Sequence, residues 1–391
     1  MADRLVRIST VILAILLFYS IATIWIPDRW SISVWHAGAF ALALGWAVWM
    51  IIRPYRIYGS VLLIPLLGTA LWGLFQLLVG ASVSRWETWN AALQWSANLV
   101  LFFLTLQICA DSDIRHRFLK ALLYFGFVLS VVAVAQFFTS NGKLFWLFRA
   151  EYPDMFGPFA NRDHYAAFVE LLVPLALLEA LRDRRRWLFY AGITSGMLAS
   201  VIAGASRAGS FLVALEIAIV LWIARYRGLV TGRNLGKILA SFAIFAVVFI
   251  PVVGWENLWG RFQQPDPFGS RREMLYSSLA MLRDRPWTGF GLGNFEAAYP
   301  AYALYDSGAG VNHAHNDWAE WAAEGGVPFF LMMAAVAVWT ARYAIPSIWA
   351  IGVVTVFVHS FVDFPMQKPG LAAWVFSALG ALAASSRHGE P

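Results

Sequence analysis

Apolar runs about twenty residues long recur from one end of the chain to the other, a length that crosses a bilayer when coiled as a helix. Short clusters rich in arginine, aspartate, proline and tryptophan separate them. In hydrocarbon only a helix or a closed barrel satisfies every backbone polar group, and these runs lack the alternation of barrel strands. The pattern predicts an all-α polytopic membrane protein. Its roughly twelve spans fall near 8–26, 32–52, 58–79, 92–110, 118–138, 165–181, 187–204, 208–224, 238–254, 327–341, 344–362 and 371–385. The first run follows Arg4 and Arg7 without a small-residue cleavage site, so it is expected to be a retained span. No internal repeat and no inverted pair of broken helices of the transporter kind is evident.

The longest polar interruption is 255–326. The chain is therefore read as one integral membrane domain, 1–391, in which a long outer loop, 255–326, forms part of the active site. That loop holds an expected helix over about 270–283, a turn at Asp284-Arg285-Pro286, and glycine at every second position from Gly289 to Gly293. A second outer loop, 139–164, ends in Asn161-Arg162-Asp163-His164. Charge gives the expected orientation. Arg4, Arg7, Arg53, Arg56, Arg115, Arg117, the 182–186 arginines, Arg225, Arg227 and Arg342 fall on one side, which places both termini in the cytoplasm and the long loop in the periplasm. Composition agrees: 60% of residues are hydrophobic and 13% charged, against about 25% charged in soluble domains. The net charge of +6 is then a topology signal, and no nucleic-acid partner is expected. The single cysteine, Cys109, excludes an internal disulfide.

Chemistry concentrates in Val311-Asn312-His313-Ala314-His315-Asn316-Asp317-Trp318-Ala319-Glu320, continuing to Gly325-Gly326. Asp317 and Glu320 read as a capping box, so a short helix is expected to start at Asn316 or Asp317 and to stop at the glycine pair. With Trp318, Trp321 and Ala322 on one face it is expected to lie amphipathically at the membrane surface. His315 is the candidate general base or charged donor, and His313 is expected to orient a neighbouring segment. The ligand count falls short of a zinc site, so no metal is expected. Arg207, among the small residues Ala205, Ser206, Ala208 and Gly209 that leave room for a ligand, suits an anionic ligand at a span end, which is preferred to snorkelling to headgroups. Arg271 and Arg272 together could hold a phosphate or pyrophosphate, or form a solvated basic face. The Gly289–Asn294 stretch could offer backbone N–H groups to a phosphate, or be a tight turn. His359 and Asp363, four apart at a span end, are expected to share a helix face.

Taken together, Asn161-Arg162-Asp163-His164, Ser206-Arg207-Ala208-Gly209, Arg271 ahead of Asp284-Arg285-Pro286-Trp287-Thr288-Gly289-Phe290-Gly291, His313-Ala314-His315-Asn316 with Gly326, and the segment His359–Gln367 resemble the bacterial O-antigen ligase and O-antigen polymerase family. The resemblance runs from about 155 to 370; the first five spans support it only by topology. It departs from the family pattern at Phe329, Asp163 and Leu275. The resemblance implies a helical fold of the lipid-linked glycosyltransferase (GT-C-like) kind in the bacterial inner membrane. It implies transfer of a glycan from undecaprenyl diphosphate to an acceptor hydroxyl on another glycan, on lipid A core or on protein, with no cofactor. Arg207 and Arg271, with Arg272 beside them, would bind the diphosphate, and His315 would be the central catalytic residue. Asn161, Arg162, His313, Asn316, His359 and Asp363 would support it. A single displacement implies inversion at the sugar carbon. A lipid-linked sugar transporter is the alternative, and a scaffolding subunit a third; clustering of the polar groups at span ends favours the enzyme.

Overall fold

The computed structural model describes residues 2–386 apart from 54, 150–154, 184, 231–235, 238, 246–254, 264–268, 306–307 and 309. In chain order the helices are α1 (Ala2–Ala22), α2 (Arg29–Ile52), α3 (Leu63–Leu78), α4 (Arg85–Ile108) and α5 (Ser112–Thr139). After a two-residue hairpin, β1 (Lys143–Leu144) and β2 (Phe148–Arg149), come α6 (Arg162–Glu170), α7 (Val173–Arg182), α8 (Trp187–Ala203) and α9 (Arg207–Tyr226). The long loop carries α10 (Trp255–Phe262), α11 (Gly269–Asp284) and α12 (Phe295–Ala298), and α13 (Asp317–Ala344), α14 (Ile351–His359) and α15 (Pro369–Ser385) follow. Among the described residues seven stretches are helical, long and apolar enough to cross a membrane, and shorter apolar helices pack among them. This is an all-α polytopic membrane protein. Each expected span overlaps helical residues; of 238–254 only 239–245 lie within the described residues, and these are helical. The sixth is broken into α6 and α7 just before Pro174, which lacks the N–H that would bond the Glu170 carbonyl.

The core is built on α15. Every residue from Gly370 to Ser385 is buried, as expected for a helix that is apolar all round. A Cβ at Gly380 would lie 2.5 Å from the Phe102 carbonyl oxygen, so glycine is what lets α15 close onto α4. Trp374 Nε1 donates to the Leu17 carbonyl at 2.8 Å and ties α1 to the same helix. Outer helices divide by face: on α3, Ile64, Leu71 and Leu78 are exposed, while Leu66, Ala70 and Gly73 are buried. That division suits a helix with lipid on one side and protein on the other.

The bundle has two distinct ends. One gathers Arg115, Glu179, Arg182, Ser347 and Ser385 around a common cavity, and Arg227 donates to the carbonyls of Ile345 and Pro346 there. The other gathers the 81–87 turn, the 286–295 loop and the segment 360–367. The loop is held by a break in α13. Gly326 has φ 69° and ψ −175°, a conformation open in practice only to glycine. Pro328 has no N–H for the Glu324 carbonyl, which instead accepts from Gly291 N at 3.0 Å and Gln76 Nε2 at 2.8 Å. The Ala323 carbonyl accepts from Phe290 N, and Val327 N donates to the Pro286 carbonyl at 2.8 Å. The Ala323 and Glu324 carbonyls and the Val327 N–H are thus taken by the loop that lies across the kink, with Gln76 of α3 beside it.

Candidate active site

The first half of α13 presents the histidines. Asn316 is its N-cap, with Oδ1 accepting from Ala319 N at 3.0 Å and Nδ2 donating to the Phe361 carbonyl at 2.9 Å. His315, one residue earlier, has φ 49°, an uncommon conformation for a non-glycine residue. Asp317 secures the facing segment: its N–H donates to the Ser360 carbonyl at 2.9 Å, and its Oδ2 accepts from Ser360 Oγ at 2.7 Å and Met366 N at 3.0 Å. This brings Asp363 to His315, with Nδ1 and Oδ1 3.0 Å apart. Asp363 is fully buried, and its other oxygen lies 3.4 Å from Asn161 Nδ2 and 3.5 Å from His164 Nε2. Burial works to raise its pKa, but the hydrogen bond and charge of His315, with His359 and Arg271 beyond, outweigh it and hold the carboxyl below its ordinary value. A carboxylate on Nδ1 leaves Nε2 as the nitrogen available for proton transfer.

Beside this pair stands a cluster of arginines. Asp163 Oδ2 meets Arg271 Nη2 at 3.0 Å, and its Oδ1 accepts from Ser206 Oγ at 2.6 Å. Arg207 Nη1 donates to the Arg261 carbonyl at 2.9 Å, and Arg261 Nη1 to the Ala205 carbonyl at 3.1 Å. Arg207, Arg261 and Arg271 border a cavity of about 440 Å³ whose other walls include Phe211, Phe262 and Phe361. A group of cations over an apolar groove suits an anionic head on a hydrocarbon chain. Arg272 is exposed and does not border that cavity, so the expected arginine pair contributes Arg271 alone to it. Arg162 opens α6 and is half-buried.

Several expectations change. His359 and Asp363 do not share a helix face: α14 ends at His359, whose Nδ1 turns inward to the buried carboxylate of Glu170 at 2.8 Å. The 317–326 segment is not amphipathic at a surface but buried on all sides, because α3, α14 and the long loop pack against α13. Asp317 and Glu320 form no capping box. Asn316 caps, and Glu320 reaches back to His313 Nδ1 at 2.8 Å and Ala314 N at 2.7 Å. That contact has ion-pair distances, yet burial, aided by the charges of Lys368 and His315, lowers the His313 pKa well below its usual value, so a neutral hydrogen bond is the better description. The Gly289–Phe295 amides do meet an acidic side chain, but an internal one. Gly293 N and Phe295 N donate to the Glu324 carboxylate at 2.9 and 2.8 Å, and Leu292 N to Gln76 Oε1.

Other residues carried no sequence signal. Phe364 is a hub: the rings of His164, His313 and His315 lie 4.5, 4.3 and 4.7 Å from its own, and Lys368 Nζ lies 4.8 Å over it. Arg261 and Glu170 gain their roles only through partners distant in sequence, which spacing cannot reveal. Among the described residues no group of three His, Cys, Asp or Glu side chains is arranged to hold a metal ion.

The stretch 164–334 matches a family model described as O-antigen ligase. No curated protein matches the chain. The match takes in Arg207, Arg271, His313, His315 and the kink at Gly326, so residues 164–334 of this multi-pass membrane protein are similar to the O-antigen ligase family.

Proposed function

We propose that the protein transfers a glycan from undecaprenyl diphosphate to an acceptor hydroxyl at the periplasmic face of the bacterial inner membrane, with inversion at the sugar carbon. The observation that carries this reading is the His315–Asp363 pair lying beside Asp163–Arg271 at the head of an arginine-bordered apolar groove. The lipid tail lies along Phe211 and Phe361, and Arg207 and Arg271 hold the diphosphate. As the sugar–oxygen bond breaks, its electron pair leaves with the diphosphate, and the guanidinium groups stabilise that charge in a partly dry site. The acceptor oxygen attacks the sugar carbon from the opposite face and gives its proton to His315 Nε2, while Asp363 orients the ring and balances the imidazolium. Arginines supply the positive charge, so no metal is required.

The test is transfer from an undecaprenyl-diphosphate-linked glycan to candidate acceptors in detergent with a chelator present. Wild type is expected to transfer, and His315→Ala to lose a factor of about 10² or more, the usual weight of a general base. Full activity in His315→Ala would remove the assignment, and loss of wild-type activity on chelation would remove the metal-free chemistry.

A further inference from the structure

A second cavity, of about 510 Å³, opens on the other flank of the His313–Glu320 contact and belongs to neither the arginine cluster nor the apolar groove. Its walls come largely from α2 and α4, spans that carry none of the sequence motifs. Amide side chains crowd it: Asn90, Gln94, Asn98, Asn312 and Gln367. Three of its groups form a chain, His36 Nε2 to Gln94 Oε1 at 2.8 Å and Gln94 Nε2 to Asn98 Oδ1 at 3.0 Å, which fixes their orientation. Among the described residues one arginine lines it, Arg29, already paired with Glu87 at 2.7 Å, whereas Glu296, Glu320 and Glu324 also line the walls. Such a wall disfavours a diphosphate, in contrast to the arginine-bordered groove. Two lining groups call for a partner: the buried Trp321 Nε1 and Gln367 Nε2 have no hydrogen-bond partner. Buried donors of this kind are ordinarily satisfied. Amides, carboxylates and indole faces with spare donors match an uncharged, hydroxyl-rich ring.

We infer that this cavity between α2, α4 and the His313 loop is the binding site for the acceptor sugar. The inference rests on the transferase reading above and adds the acceptor's place and chemical class. The donor head enters through the arginine side and the acceptor through the amide side. The 313–315 loop joins them, with His313 on the acceptor cavity and both imidazoles against Phe364. The hydroxyl-rich ring has two possible sources, a lipid A core oligosaccharide or the free end of a polysaccharide chain.

Both sources are tested as probes: core oligosaccharide released by mild acid, and a repeat-unit oligosaccharide. Binding to the full chain in nanodiscs is followed by saturation-transfer NMR, and transfer kinetics are measured with the same acceptors. Gln367→Leu and Asn312→Leu remove polar partners. Ser33→Trp, at an exposed lining position, fills the cavity without disturbing the core. Each is expected to raise the acceptor KM about tenfold or more and to weaken probe binding in parallel, the effect of a lost hydrogen bond to a substrate hydroxyl, with donor KM within about twofold. The probe that binds identifies the source. Wild-type transfer with unchanged acceptor KM in all three variants overturns the inference and leaves the transferase reading standing. Absence of wild-type transfer sinks the transferase reading. Probe binding then decides the cavity alone: no binding of either probe, or binding equal in wild type and Ser33→Trp, overturns it.

Discussion

At the residue scale the decisive fact is which carboxylate each histidine meets. His315 meets Asp363 and His359 meets Glu170, although His359 and Asp363 are the near neighbours in sequence. Asp363→Asn is therefore expected to lower kcat about 10²-fold or more with little change in donor KM, because the ring loses both orientation and charge balance. His359→Ala should act differently. It strands a buried Glu170, which costs about 3–5 kcal/mol of stability, and single-turnover rates of the protein that remains folded should stay within a few-fold of wild type. A kcat loss in His359→Ala equal to that of Asp363→Asn would contradict this division. His313 adds a pH dependence. Its folded pKa lies below the 6.5 of a free side chain, so its contribution to stability is whole above that value. It is lost as pH falls below it, where the unfolded chain takes up a proton that the fold refuses. The loss is at most about 1.4 kcal/mol per pH unit, and smaller here because 22% of the side chain is exposed. Thermal unfolding in detergent should decline below about pH 6.5 in wild type and decline less in His313→Gln; equal slopes would refute the buried neutral imidazole.

At the element scale the sequence announced α13 and its break but not its consequence. Gly325-Gly326 reads as a helix stop, and that reading holds locally; Pro328 adds a lost N–H that was not among the sequence expectations. What spacing cannot show is that the loop across the kink takes up the freed carbonyls, so that the helix resumes and the 286–295 loop is locked in place. The N-cap was legible to within one residue because Asn316 is a good capping side chain. The capping box was not, because Glu320 has a better use next to a buried imidazole. Gly326→Ala tests the lock. Its Cβ would lie 2.7 Å from the Pro286 carbonyl oxygen, and the φ of 69° is strained for alanine. The expected loss is about 3 kcal/mol or more, seen as a lower unfolding temperature together with protease access to the 286–295 loop. A variant as stable and as protected as wild type would show that the loop is held by something other than the kink.

At the scale of the whole molecule, apolar run length was enough to place the expected spans on helical residues where the structure describes them. The reason is that the bilayer enforces one element type and one length. The basic bias agrees with the structure's grouping of Arg115, Arg182, Arg227 and Ser385 at the end opposite the histidines. The site was legible only in part. Arg207, Arg271 and His315 stand out as costly residues at span ends, whereas Phe364, Arg261 and the α2–α4 cavity depend on packing between distant spans. The basic bias predicts which end faces the periplasm, and the lone cysteine makes that prediction measurable. Cys109 is fully buried, so an impermeant maleimide should leave the native chain unlabelled. Asn312 and Arg185 are exposed at opposite ends. On intact cells with a permeabilised outer membrane, Asn312→Cys is expected to label and Arg185→Cys to label only after the inner membrane is opened. The reverse pattern would put the histidines in the cytoplasm, where a lipid-linked glycan displayed on the outer leaflet cannot reach them. It would refute the periplasmic transferase even if every side-chain contact at the site were right.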